Sequence, residues 1–297
     1  MIRSLRFTVL MEHRSIQKGL ATEHGLSLWL ELDGIRILFD TGQSPAFAEN
    51  AQKLGIDLSE ADFIVLSHGH YDHTGGLEAA LEAAPKARVC FHPEAGITRY
   101  SHHPGQAMHA LGMPESAWNA LKKRLPQACL SSGPLKLAPG IWASGPIPRL
   151  HPVEHPQQAF SLDEAHLEPD PFRDDQALVL ESTAGNVVIT GCCHSGVANT
   201  LARAKAITRD ERCVLLMGGL HLVRSSRAQI RRVGQTLTHA SIQKLWSGHC
   251  TGEDAEALLG SLCLGDTPML CGLLEVGRSW AVDLDSLGKS EDREVNA

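Results

Sequence analysis

The sequence predicts an α/β fold of four layers, in which two central sheets are covered on their outer faces by helices. The prediction rests on the arrangement of both halves of the chain, each of which carries strand-like apolar runs followed by helical segments. A dense histidine cluster follows one of those runs. Hydrophobic residues make up 43% of the 297 residues and charged residues 21%, as in globular proteins that bury a large core. We therefore expect one domain over residues 1–290, with a frayed charged tail over 291–297.

In the first half, the clearest element is a β-hairpin. Residues 28–32 and 35–39 are apolar runs separated only by Asp33-Gly34, a residue pair that favours a tight two-residue turn. Helix and strand patterns then alternate up to residue 91. The predicted elements are a helix over 45–54, a strand over 63–66, a helix over 77–84 and a strand over 88–91.

The middle of the chain, about 93–175, is irregular and rich in Pro, Gly and His. It is predicted to be an inserted or capping segment over a site, with a plain surface loop as the alternative. Regular patterning then returns, and two such halves packed face to face would give the four layers. The elements predicted here are strands over 177–180, 187–190 and 213–217, helices over 196–207 and 227–239, and short strands near 243–247 and 268–275.

Charge and composition argue against two classes of partner. The formal net charge is −7, and the basic runs at 122–124 and 231–232 are too short to follow a phosphate backbone, so nucleic acid is not expected. No apolar stretch reaches the ~20 residues that span a bilayer, and no secretory signal is recognisable. We therefore predict a cytoplasmic protein without a membrane partner; the sequence leaves its oligomeric state open. Most of the eight cysteines lie in apolar runs, which favours buried free thiols.

The residues that carry chemistry are concentrated in 67–76, Ser-His-Gly-His-Tyr-Asp-His-Thr-Gly-Gly, directly after an apolar run. Sheets of α/β proteins place their sites at such strand ends. Because alternate residues point in opposite directions, we expect His68 and His70 to bind one metal ion while Asp72 and His73 bind a second. Imidazole and carboxylate donors suit Zn²⁺, with iron or manganese as alternatives.

The pattern His-x-His-x-Asp-His after a buried strand resembles the signature of the metallo-β-lactamase fold, a superfamily built as a four-layer αββα sandwich. The turn Asp40-Thr41-Gly42 extends the resemblance, which implies that Asp40 supports the metal ligands from behind. The resemblance also implies that His194 and His249 are ligands. Many members carry a bridging aspartate after a glycine where this chain has Cys192. Either a Cys192 thiolate serves there or His194 replaces the aspartate, and we favour His194.

Six segments together resemble one branch of this superfamily, the 7,8-dihydropterin-6-yl-methyl-4-(β-D-ribofuranosyl)aminobenzene-5′-phosphate synthase-like proteins. The matching segments fall between about 24 and 255 and are residues 40–42, 67–77, 174–178, 190–194, 218–222 and 249–252.

Several other side chains are candidates for the same site. His221 is interpreted as a ligand, a substrate contact or a support for the ligands. Asp174 and Asp175 are each interpreted as a ligand, a supporting acceptor or a turn cap. Arg149 is predicted to contact an anionic group of the substrate. One or two of six further histidines are expected to line a pocket, the rest lying on the surface: His92, His102, His103, His109, His151 and His155.

Our functional hypothesis is hydrolysis of an ester-like or phosphoester-like bond in a small-molecule substrate, with an anionic group as an expected feature. A metal-bound hydroxide would attack, and Asp72 or a nearby histidine would handle the proton. Three alternatives remain open: a pterin-linked synthase reaction, iron-dependent redox chemistry, and a metal-binding protein without turnover. RNA-processing nucleases carry a similar motif, but the acidic charge balance argues against that function.

Overall fold

The computed structural model of the protein describes residues 1–102, 107–154, 159–263, 269–287 and 293–294. The first large sheet in this part of the chain has the strand order β18-β17-β1-β2-β3-β4-β5-β8. Its strands are β1 (Ser4–Met11), β2 (Ser27–Leu32), β3 (Ile35–Phe39), β4 (Phe63–Val65), β5 (Arg88–Phe91), β8 (Cys129–Leu130), β17 (Ser279–Asp283) and β18 (Arg293–Glu294).

A second large sheet has the order β16-β15-β14-β13-β12-β10-β9, and a small third sheet has the order β11-β6-β7. The second sheet contains β9 (Leu135–Ala138), β10 (Ile141–Ala143), β12 (Ala177–Glu181), β13 (Asn186–Thr190), β14 (Cys213–Gly218), β15 (Lys244–Ser247) and β16 (Leu270–Leu273). The third contains β6 (Tyr100–Ser101), β7 (His109–Ala110) and β11 (Phe160–Ser161).

Except for one four-residue helix in the histidine loop, the described helices cover the outer faces of the two large sheets. They are α1 (Ala46–Lys53), α2 (Tyr71–Thr74), α3 (Leu77–Ala83), α4 (Glu115–Lys122), α5 (Val197–Thr208), α6 (Arg227–His239) and α7 (Glu253–Cys263). Four 3₁₀ turns complete the described elements: Leu58–Glu60, Pro93–Gly96, Leu125–Gln127 and His249–Thr251.

Alternation along the strands builds the four layers. In β2, Leu28 and Leu30 belong to the apolar core between the sheets, whereas Trp29 faces the other way and packs in the core beneath α1, α3 and α4. In β13, Ile189 points into the central core and Val188 into the core beneath α5, α6 and α7. Each sheet is therefore apolar on both faces, and the predicted αββα arrangement is confirmed.

The predicted hairpin is confirmed together with the reason for its turn. Strands β2 and β3 pair antiparallel with Leu32 opposite Ile35, and the two residues between them have φ values of 48° at Asp33 and 92° at Gly34. Two successive positive φ values are the mark of a type I′ turn, whose twist matches that of the flanking strands.

Parallel strands bring the ends of both sheets to one edge of the molecule. Strands β3, β4 and β5 run parallel in the first sheet, and β13, β14 and β15 run parallel in the second. The loops that follow β3, β4, β13, β14 and β15 begin at residues 40, 66, 191, 219 and 248. Because parallel strands end at the same edge, these loops gather the candidate site residues in one place.

The irregular segment predicted over about 93–175 is more heterogeneous than expected. Strands β8, β9 and β10 extend the large sheets, and α4 packs on the outer face of the first sheet. The third sheet is the part of this segment that lies outside the main layers. The prediction also missed β1, which pairs with β2 and β17 inside the first sheet, because its sequence mixes charged and apolar residues.

The predictions of free cysteines and of a frayed tail have different outcomes. Six cysteines are free and buried as predicted, but the expectation of free thiols is wrong for Cys271, which is disulfide-bonded. In the predicted frayed tail, residues 293–294 pair with β17, and 291–292 and 295–297 lie outside the described residues. Among the helices described, none combines the length and the apolar character that crossing a bilayer requires.

The packing of α1 can be tested by substitution. Phe47 is fully buried beneath the first sheet, so Phe47→Ala should lower the free energy of unfolding by roughly 3–5 kcal/mol through lost burial and the cavity that remains. Glu49→Ala, on the exposed side of the same helix, should change it by less than about 0.5 kcal/mol. Urea unfolding of both variants measures this, and an equal loss in the two would contradict the assigned packing.

Candidate metal centre

The histidine-rich loop is held against neighbouring backbone with no room for side chains at its glycines. A Cβ at Gly69 would lie 1.9 Å from the carbonyl oxygen of Ala95, and one at Gly75 would lie 2.2 Å from that of Gln43. Glycine is therefore required at both positions. The fixed backbone carries His70 just before α2, and it carries Asp72 and His73 within the first turn of that helix.

Asp40 lies behind this loop and is fully buried. One carboxylate oxygen, Oδ1, accepts the backbone N–H of Ser67 at 2.7 Å. The other, Oδ2, accepts the Ser67 hydroxyl and His73 Nδ1, each also at 2.7 Å. Asp40 itself has a left-handed backbone with φ of 57°. The carboxylate thus fixes both the loop and the ring of His73.

These bonds determine which ring nitrogens can face a metal ion. Because His73 gives its Nδ1 proton to Asp40, its Nε2 is left as an acceptor. The Ser67 hydroxyl donates to Asp40, so its oxygen accepts the Nδ1 proton of His68 at 2.9 Å. His68 Nε2 and His70 Nε2 are buried and have no hydrogen-bond partner among the described residues. Buried acceptor nitrogens without donors are a suitable environment for a cation.

One cluster of donor atoms comprises Asp72, His73, Cys192 and His249, all within 4.8 Å of one another. His73 Nε2 lies 3.1 Å from His249 Nε2 and 3.2 Å from Cys192 Sγ. Asp72 Oδ2 lies 3.3 Å from His249 Nε2. The backbone N–H of His249 donates to the buried carboxylate of Glu12 at 2.6 Å, which holds this ligand candidate from the first strand's end.

A second cluster comprises His68, Cys192 and His194. The ring centroids of His68 and His194 are 4.9 Å apart, and His70 lies 4.5 Å from His68 and 4.9 Å from His194. Phe172 stacks on His194 at 4.0 Å with an interplanar angle of 9°. The structure therefore brings together Asp72 and five histidines, namely His68, His70, His73, His194 and His249. His68 belongs to one cluster, and Asp72 and His73 belong to the other.

Asp174 and Asp175 bind backbone on opposite sides of the site and lie in neither donor cluster. Asp174 accepts the N–H of Gly69 at 2.7 Å and the guanidinium of buried Arg99 at 2.6 Å. Asp175 accepts the N–H of Ser195 at 2.7 Å, next to His194. Of the alternatives considered for the two aspartates, these contacts correspond to supporting acceptors. Asp174 and Asp175 thus fix the two loops that carry candidate ligands, one through Gly69 and the other through Ser195.

Burial and neighbouring charges keep the cluster in forms that can bind metal. Burial lowers the pKa of His70 to about 3, and burial together with the nearby His73 and His70 holds the pKa of His68 well below its ordinary value. Burial would raise the pKa of Asp72, but His73 and His249 outweigh it and hold that pKa well below the usual range. At neutral pH, His68 and His70 are thus neutral imidazoles and Asp72 is a carboxylate.

The clusters lie at the wall of a cavity of about 910 Å³. His70, Asp72, Cys192 and His249 line it from the site, and His221 lines it beside His194, with their ring centroids 4.5 Å apart. The lining includes Phe160 of the third sheet, whose ring centroid lies 5.7 Å from that of His194, so this sheet covers the site. The lining also includes Arg224, which sequence patterns did not indicate.

Arg149 does not line this cavity. Its guanidinium lies 5.8 Å from the ring centroid of Phe172, behind the site. The contact of Arg149 with a substrate stays a prediction, whereas Arg224 is the arginine that lines the cavity.

The remaining histidines follow the prediction in part. His102 lines the cavity, whereas His109 and His151 are exposed. His92 is buried and accepts the backbone N–H of Glu94, and His103 and His155 lie outside the described residues.

Like Arg224, the site residues Glu12 and His24 were not indicated by sequence patterns. His24 Nε2 lies 3.4 Å from Asp72 Oδ2, and its ring stacks on His249 at 5.1 Å. Neither residue belongs to a local motif, and both reach the site only through folding. No pattern near them in the sequence indicates that role.

Comparisons with known proteins agree with this geometry. A sequence model of the Metallo-beta-lactamase superfamily matches residues 22–198. The chain is 27% identical over 263 residues to the 7,8-dihydropterin-6-methyl-4-(beta-D-ribofuranosyl)-aminobenzene-5'-phosphate synthase of Methanocaldococcus jannaschii, covering 84% of this chain and 88% of that protein. It is 30% identical over 257 residues to an uncharacterized protein of the same organism, covering 86% and 93%. These matches confirm the resemblance seen in the motifs.

A solved structure is also similar over nearly its whole length. Tm1679, described as a metal-dependent hydrolase of the beta-lactamase superfamily, has a TM-score of 0.77 and 29% sequence identity to this chain. The match covers 94% of this chain and 99% of Tm1679.

The role of Asp40 predicts a loss of metal affinity in Asp40→Asn. An amide cannot accept from Ser67 and His73 as the carboxylate does, so zinc affinity should fall roughly 10- to 100-fold. Competition with a chromophoric chelator measures the affinity. Asp254→Asn, at an exposed position of α7, is the matched control and should bind zinc like the wild type. Equal affinities in the two variants would show that Asp40 does not support the site.

The same contacts predict a pH dependence. Burial would lower the pKa of His73, but Asp72 and Asp40 outweigh it and raise that pKa above its ordinary value of 6.5. As the pH falls through this raised pKa, protons compete for Nε2, so zinc affinity should decrease on mild acidification. Asp40→Asn removes one source of the shift and should move the decrease to lower pH. A decrease at the same pH in both proteins would contradict this assignment.

Proposed function

We propose, since the chain belongs to the metallo-beta-lactamase superfamily, that it is a metal-dependent hydrolase that cleaves an ester-like or phosphoester-like bond in a small molecule. One observation carries the proposal: two clusters of buried donor atoms meet at the wall of a cavity of about 910 Å³. The cavity has room for a substrate of ordinary metabolite size with its reactive group over the clusters.

The donor set fits two zinc ions. His68 and His194, with His70 beside them, offer imidazole nitrogens for one ion, and Asp72, His73 and His249 offer two nitrogens and a carboxylate for the other. The partnerless Nε2 atoms of His68 and His70 support this assignment. Bound metal ions at such a centre lower the pKa of water and polarise a substrate oxygen.

The protein's own residues prepare this chemistry. Asp40 and Ser67 hold the rings of His73 and His68 with their Nε2 atoms toward the centre. Asp72 lines the cavity and lies 3.4 Å from His24, whose side chain is 59% exposed. A proton taken up at the Asp72 carboxylate can therefore pass to His24 and then to solvent.

The cavity also supports an anionic substrate. Its lining combines the apolar Phe160 and Val223 with Arg224, and its two carboxylates are Asp72 of the proposed centre and Glu253. A guanidinium binds phosphate or carboxylate with paired hydrogen bonds, while the apolar walls bind the rest of the molecule. A phosphoester with an apolar or aromatic portion matches this distribution.

A second candidate is the synthase reaction. The 27% identity to the dihydropterin-linked synthase over 84% of the chain favours it. Incubation with a pterin diphosphate and an aminobenzene ribotide distinguishes the two candidates, because the synthase would release diphosphate and join the two molecules. Release of an alcohol and an acid from simple esters, without a joined product, would favour the hydrolase.

The proposal predicts metal content and activity together. The purified protein should contain about two zinc ions per chain by plasma emission and hydrolyse one of three substrate classes: phosphodiesters, lactones or thioesters. His73→Ala should lose at least one ion and reduce kcat/KM by roughly 10³-fold or more, because it removes a donor of the cluster. His109→Ala, an exposed histidine, should retain both properties. A metal-free active protein would contradict the proposal.

Substrate recognition gives a separate prediction. Arg224→Gln should raise KM for an anionic ester roughly tenfold with little change in kcat, since it removes a charged hydrogen-bond donor from the cavity wall. Arg227→Gln, exposed at the start of α6 and outside the cavity lining, should leave KM unchanged. Steady-state kinetics of both variants with an anionic and a neutral ester measure the effect. Equal effects on the two esters would exclude a charge-based role.

A further inference from the structure

Cys192 is common to every cluster of candidate donors in the described part of the chain. Those clusters are Asp72-His73-Cys192-His249, His68-Cys192-His194 and Cys192-His221-Cys250. We infer that the Cys192 thiolate bridges two metal ions, one in each of the first two clusters. This inference rests on the proposed metal centre and specifies which group joins its halves.

The backbone places Cys192 between the two clusters. It follows β13 after Gly191, where a Cβ would lie 2.0 Å from the Ser67 hydroxyl oxygen, so the chain passes directly against the histidine loop. The Cys192 side chain is 3% exposed, and its Sγ lies 3.2 Å from His73 Nε2. On the other side, Sγ shares the second cluster with His68 and His194.

The nearby carboxylates are otherwise engaged. Asp40 accepts from Ser67 and His73, Asp174 from Gly69 and Arg99, and Asp175 from Ser195. Asp72 belongs to the first cluster alone. None of the four is a member of both clusters, so within the described residues the anionic donor shared by both is sulfur.

The other two thiols near the site have different contacts. Cys193 has a left-handed backbone with φ of 61°, and its side chain lies in the core beneath α5, α6 and α7. There its Sγ lies 3.3 Å from Thr200 Oγ1. Cys250 Sγ lies 3.6 Å from the carbonyl oxygen of Cys192 and accepts the N–H of His221. Cys250 thus supports the backbone of Cys192, and Cys193 faces away from the centre.

A thiolate bridge has a chemical consequence. Sulfur is a soft donor that favours zinc over manganese or magnesium, whereas carboxylate bridges suit the harder ions. Among the metals that the histidines alone would accept, the bridge therefore favours zinc over manganese.

X-ray absorption at the zinc edge of the zinc-loaded protein tests the bridge. If Cys192 contacts both ions, the spectrum should show on average one sulfur per zinc at about 2.3 Å. A thiolate bound to one ion gives half a sulfur per zinc, and an unbound thiol gives none; either result overturns the inference. A chain that binds no zinc would contradict the proposed metal centre itself, so the two failures are distinguishable.

Three variants complete the test. Cys192→Ser should lose the sulfur signal and bind the second zinc at least about tenfold more weakly. Cys192→Asp should bind two ions without sulfur, which separates loss of the bridge from misfolding. Cys193→Ser, the neighbouring thiol, should keep the wild-type spectrum and stoichiometry. A sulfur signal that persists in Cys192→Ser, or disappears in Cys193→Ser, would overturn the assignment.

Discussion

The interaction on which the site depends is the contact of the buried Asp40 carboxylate with Ser67 and His73. It fixes the position of the histidine loop through the Ser67 backbone and the tautomer of His73 through Nδ1. Through the Ser67 hydroxyl it also fixes the tautomer of His68. One anion thereby directs two imidazoles from adjacent parts of the loop. Gly191, which follows a strand of the second sheet, packs against Asp40 and Ser67. The same contact therefore joins the two halves of the molecule.

Several residues with left-handed backbone conformations lie at the edge of the two sheets that carries the site. Asp40, Cys193, His221 and His249 have left-handed φ values of 57°, 61°, 52° and 54°, and each lies in a loop at the end of a strand. Such conformations cost about 1–3 kcal/mol for a residue other than glycine and persist only when surrounding contacts fix them. At His249 the contact is the bond from its backbone N–H to the buried carboxylate of Glu12, and at His221 it is the bond from its N–H to Cys250 Sγ. The packing of the four layers thus offsets the cost of the left-handed conformations that orient these side chains toward the cavity.

Local patterns explain which parts of this arrangement could be predicted. The Asp33-Gly34 turn, the alternating strands and the histidine loop are each encoded by neighbouring residues, and their positions followed from the sequence. Contacts formed only by folding were not accessible in this way. Glu12 and Arg224 reach the site from distant elements without a motif, and Asp174 could not be distinguished from a ligand until its contacts with Gly69 and Arg99 were known. The cover formed by the third sheet arises from two-residue strands, too short for periodicity to indicate.

We propose that the two donor clusters hold two metal ions in positions set by Asp40. Anomalous diffraction from crystals of the purified protein, measured on both sides of the zinc, iron and manganese edges, tests it most directly. We expect two zinc peaks about 3.5–4 Å apart, one beside His68 and His194 and the other beside Asp72, His73 and His249. An ordered cluster without anomalous peaks in crystals of active protein would contradict it.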